Sequence, residues 1–158
     1  MSSVRLVIPK NRLAQILRMP GGLPVAEALE QAQANLATIK PTCLAELQAL
    51  LELADACFAR LEDGFDDANM AELYAISVRG IGAAAVCGVP TVDDALTSFC
   101  DLLDHLRTNQ RYDRAAIGVH VRAWRLLMSP DLPQAGQDAI LAGLRKVSAR
   151  YALGEAGG

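Results

Sequence analysis

The chain has 158 residues, 52% hydrophobic and 21% charged, with a net charge of -3. That length and balance describe one globular domain and exclude a disordered chain. The slight acidity argues against a nucleic-acid partner, and no apolar run reaches the roughly 18 residues that a membrane span needs.

The first 22 residues are basic and amphipathic, while the body is acidic. Asn11 can cap a short helix over 11–18 that carries Leu13, Ile16 and Leu17 on one side. With Lys10, Arg12 and Arg18 beside that stripe, the segment is a candidate arm for docking on a partner; folding back onto the body is the alternative. Pro20-Gly21-Gly22 then separates arm from body. The stretch MSSVRLVIPKNRL has neither the apolar core nor the cleavage site of a secretory signal, so a cytoplasmic protein is expected.

From there the helical period dominates. Val25, Leu29, Ala32, Leu36 and Ile39 recur at steps of four and three and predict a helix over 24–39. Pro41-Thr42 should break it and cap the next, over 43–62, whose stripe is Leu44, Leu47, Leu51, Ala54, Phe58 and Leu61. Gly64 ends that helix, and Asp66 and Asp67 suit the start of another, predicted over 67–88. Thr91 with Asp94 resembles a capping box for a helix over 92–107. Asn109 to Asp113 reads as a connection before a helix over 114–128, and Ser129 to Pro133 as a break before a last one over 134–152. The expected fold is all-α, an antiparallel bundle with a four- or five-helix core over 23–153, preceded by the arm and followed by a disordered tail at 154–158.

Within 67–88 lies AISVRGIGAAAVCGVP, residues 75 to 90. Each glycine costs a helix roughly 1 kcal/mol against alanine, so Gly80, Gly82 and Gly88 need a compensating reason, or the helix ends early. Ser77, Gly80, Ala84 and Cys87 share one stripe of small side chains. It either lets another helix approach closely or leaves a shallow groove. With Arg79 at its edge, the groove is a candidate protein-binding surface: Ser77, Arg79, Gly80 and Ala84.

Chemistry-bearing residues are few. Cys43, Cys57, Cys87 and Cys100 match no zinc or redox spacing and read as reduced core thiols. The acidic run EDGFDD at 62–67 lacks the alternating ligands of a calcium loop. Asp101 and Asp104 have no partner at metal-ligand spacing, so no metal or cofactor is expected. Trp124 fits the apolar stripe of its helix, as core or as the floor of a contact surface. His105 and His120 could each carry a phosphoryl group in principle. His105 sits near a helix C-terminus, where its charged form would meet the dipole, and His120 is the other candidate phosphoacceptor.

Two resemblances follow from these residues. Arg79-Gly80 and the small residues after it resemble a histidine phosphotransfer domain. There a bundle helix carries His, two residues, Lys-Gly, then small residues and a further glycine. The histidine's place is taken here by Ile76, which cannot accept phosphate, and Gly88 lies two residues too far along. The stretch PKNRLAQILRMPGGLPVAEALEQAQANL is similar to the start of the chemotaxis protein CheE family of alphaproteobacteria. That likeness implies a pathway and supplies no catalytic residues. Together they lead to the expectation of a non-enzymatic adaptor that docks a receiver or kinase domain without accepting phosphate. An active phosphotransfer protein using His105 or His120, a small-molecule sensor near Trp124, and a homodimer paired through apolar faces are the alternatives.

Overall fold

A computed structural model describes residues 21–61 and 64–152. Among them are six helices and no strand: α1 Val25–Arg60, α2 Asp67–Gly80, α3 Ala83–Cys87, α4 Pro90–Thr108, α5 Arg114–Leu127 and α6 Gln134–Ala152. The fold is an all-α bundle, as the 3.6-residue periodicity predicts. The predicted helix over 11–18 and the tail at 154–158 lie outside the described residues. The chain divides into two compact units, 1–36 and 37–158, so the division falls inside α1 and not at Gly22.

In the second unit α4 is the central element. It packs against α2, α3, α5 and α6. Its apolar residues form one broad face, and Val92, Leu96, Phe99, Leu102, Leu103 and Leu106 are all buried. The second half of α1 contributes Leu47, Leu50, Leu51, Ala54 and Cys57 to the same core. Burying one such leucine stabilises the fold by about 1.5–3 kcal/mol, so this cluster outweighs the exposed ion pairs around it.

Helix ends mostly follow local chemistry. Asp66 caps α2 by accepting from the Asn69 amide at 3.1 Å. Asp113 caps α5 through the Ala116 amide at 2.8 Å. Pro90 opens α4, where its missing N–H costs nothing. Thr91 and Asp94 form no capping box. The Thr91 hydroxyl instead donates to Gln137 of α6 at 3.0 Å, and Val89 stands at the cap position.

Two predicted boundaries are corrected. Pro41 does not divide α1, which runs unbroken for 36 residues. The proline removes one helical hydrogen bond, to the carbonyl of Ala37, but both residues are exposed and water can take that carbonyl. The predicted helix over 67–88 is in turn two helices. Gly82 adopts φ +89° and Gly88 φ +81°, left-handed conformations that bracket α3. Asp93 of α4 reaches across to hold the break, accepting from the Gly82 amide at 2.9 Å and the Ala85 amide at 3.1 Å.

Replacing Pro41 by alanine restores the missing bond and is expected to raise unfolding free energy by about 1–3 kcal/mol. Urea denaturation of the variant checks this; an unchanged or lower midpoint would mean α1 needs the proline. At Gly80 an added Cβ would lie 2.7 Å from Leu96 Cδ1. Gly80→Leu is therefore expected to cost about 1–3 kcal/mol or more by overpacking, and Gly80→Ala less, because the leucine end can shift. Equal midpoints for wild type and Gly80→Leu would contradict the close packing.

Candidate protein-interaction surface

The small-residue stripe is not a surface groove. Ser77 and Ala84 are fully buried, and Gly80 is buried beneath Leu96. The Ser77 hydroxyl donates to the Leu73 carbonyl of its own helix at 2.9 Å. These three residues let α2, α3 and α4 approach one another and offer nothing to a partner. Ile76, at the phosphotransfer histidine's place, is buried too. Arg79 alone of that group faces solvent, paired with Glu46 at 2.8 Å. Lys10, Arg12 and Arg18 lie outside the described residues.

The two histidines differ sharply. His120 is 1% exposed and stacks on Phe99 with ring centroids 5.3 Å apart. Its Nδ1 lies 3.0 Å from the Ala116 carbonyl, which can only accept, so Nδ1 carries the proton. Its Nε2 then accepts from the Ser98 hydroxyl at 3.3 Å. Ser98 and Ser148 are 2.8 Å apart, which completes a polar chain from α5 through α4 to α6. Burial pushes the imidazole below its ordinary value, against the raising effect of the Ala116 carbonyl. With both nitrogens engaged and no solvent access, His120 cannot receive a phosphoryl group as it stands. His105 is half-buried, edge-on to Tyr151 at 6.1 Å between centroids.

Tyr151 ties the end of α6 to the cap of α5 by donating its hydroxyl to Asp113. Burial and that carboxylate push the phenol up to about 12. Burial would raise Asp113, but its bonds from Tyr151 and from the amides of Ala116 and Ala115 hold the carboxyl below its ordinary value. The cysteines behave as core thiols: Cys57, Cys87 and Cys100 are buried and free, and burial pushes Cys100 up to about 11. Among the described residues no group of three His, Cys, Asp or Glu side chains could hold a metal ion. None of their helices is long and apolar enough to cross a membrane. Trp124 is 1% exposed and belongs to the core; its indole N–H has no partner among the described residues.

What the second unit does present is an apolar groove between α5 and α6, of about 320 Å³. Val119 and Leu126 of α5 and Ile140, Gly143 and Leu144 of α6 line it, with Arg122 at its edge. Leu126 is 52% exposed. Gly143 has open space where a side chain would stand, which keeps the groove clear. The sequence shows Val119, Arg122 and Leu126 at steps of three and four, but that stripe lies beside the core stripe of the same helix and is easily merged with it. A second, polar depression on the other side of α6 holds Asp94, Ser98, Asp101, Arg145 and Ser148. No family model matches the chain, and no curated protein or solved structure matches it either.

A histidine held neutral by burial makes stability depend on pH in a known direction. Unfolded, His120 titrates near 6.5, and folded it titrates lower. Below 6.5 the unfolded chain binds a proton that the folded chain resists, so stability is lost as pH falls. The melting temperature is expected to drop from pH 7 to about pH 5, and His120→Gln to flatten that drop more than His105→Gln does. Equal slopes in wild type and both variants would contradict the burial argument.

Proposed function

We infer that this chain is a non-enzymatic adaptor of bacterial chemotaxis or two-component signalling that holds a receiver or kinase domain without accepting phosphate. The observation that carries the binding role is the α5–α6 groove. Open apolar side chains around a clear floor, with a guanidinium at the edge, suit an apolar helix or loop flanked by carboxylates. The pathway rests on the resemblance of PKNRLAQILRMPGGLPVAEALEQAQANL to the CheE family. The lack of phosphate acceptance rests on Ile76 and on the enclosure of His120.

This reading moves the contact from the small-residue stripe to a different face. Arg79 lies on α2 and takes no part in the groove. The anchors are Val119 and Leu126, and Arg122 supplies charge selection. Rim charge mainly sets association rate and partner choice, whereas the apolar anchors set residence time.

The test is a tagged pull-down of Leu126→Glu against wild type, with quantitative mass spectrometry. Leu126→Glu is expected to lose its signalling partners at least tenfold, about 1.4 kcal/mol, with the melting temperature unchanged because the site is exposed. Recovery of the same partners by both baits would remove the groove from the account. Recovery of no receiver or kinase by wild type would remove the pathway.

A further inference from the structure

Every residue from 21 to 36 is exposed, including a full apolar stripe. Val25 is 76% exposed, Leu29 58% and Leu36 47%, and Leu23 just before the helix is 57% exposed. Val25, Leu29, Ala32 and Leu36 follow steps of four, three and four. That is the spacing of the seam in a two-stranded coiled coil, in which one helix lays its stripe into that of another. These residues extend a helix whose other half is anchored in the core. The segment therefore stays helical while its apolar stripe is left in water, and an exposed stripe of this kind calls for an occupant.

The flanks of the seam say which occupant. In a coiled coil the positions beside the seam face their counterparts across the interface and select the partner by charge. Here those positions are Ala26, Ala28, Gln33 and Asn35, none of them charged. The only charges of residues 25–36 are Glu27 and Glu30, and both fall on the outer side by this spacing. Two copies brought together would meet no like charges, and the small alanines let the backbones approach. A basic partner, including this chain's own residues 5–18, would find no carboxylate at the seam to meet. We propose that residues 23–36 pair with the same segment of a second copy, making the protein a homodimer through the N-terminal half of α1. The segment shares no residue with the α5–α6 groove.

The helical part of the segment, residues 25–36, is about 18 Å long at 1.5 Å per residue, under two heptads, so dimerisation is concentration-dependent. Light scattering on the full chain after size exclusion tests it. From about 1 μM to about 100 μM the mass is expected to rise from 16.8 kDa towards twice that value. Leu29→Glu with Leu36→Glu is expected to hold the mass at the monomer value, with helix content by circular dichroism unchanged. Glu27→Lys on the outer side should leave the dimer intact.

A monomer at every concentration overturns the proposal. So does a dimer that survives Leu29→Glu with Leu36→Glu, because another surface then forms it. A monomeric full chain that dimerises only after residues 1–20 are deleted overturns it as well, and would give the seam to the chain's own N-terminal segment. Each outcome is independent of whether Leu126→Glu loses signalling partners.

Discussion

The bundle turns on an absence of atoms. Where Gly80 has no side chain, Leu96 of α4 descends until it nearly touches the backbone of α2. Leu47 of α1 and Trp124 of α5 close on the same point, at 3.6 and 3.7 Å from where a Cβ would stand. Four helices thus converge on one glycine. A glycine in a helix costs about 1 kcal/mol in backbone entropy, and the burial of leucine and tryptophan that it permits is worth more. The remaining packing of α4 is consistent with this seat: its register along α2 is the one that places Leu96 there.

Much of this architecture is legible in the sequence, because amphipathic helices write their buried face at a fixed period. Val92, Leu96, Phe99, Leu103 and Leu106 can be picked out as one stripe, and all five are buried. The misreadings come where a local rule meets a distant contact. Pro41 breaks helices in general, but here solvent satisfies the one carbonyl it frees. The split between α2 and α3 depends on Asp93, eleven residues beyond Gly82, and no local propensity reports a carboxylate arriving from another helix. Thr91 looks like a cap until Gln137 is placed beside it.

The candidate site was less legible for a similar reason. A stripe of small residues means close packing or a shallow groove, and only the position of Leu96 decides between them. Ser77, Gly80 and Ala84 therefore read as a docking surface when they are the floor of the core. Conversely, Val119, Leu126 and Ile140 look like core by hydropathy but line an open groove, where Gly143 puts no side chain between α5 and α6. His120 shows the limit in another form. Its polar chain draws Ser98, Ala116 and Ser148 from three helices, and in sequence these are isolated, unremarkable residues.

The trans-acting carboxylate of Asp93 has a consequence for the order in which the fold assembles. A helix of five residues cannot nucleate alone, since its first turn fixes more dihedrals than its few bonds repay. α3 has no side-chain cap of its own, and α4 lends it one. It follows that α3 exists only while the first turn of α4 does, and the two form one opening unit. Protection of the Ala85 amide against hydrogen exchange can then never exceed that of the α4 turn holding Asp93. The glycine-bracketed segment is in this sense a dependent of its neighbour, whose folding it follows.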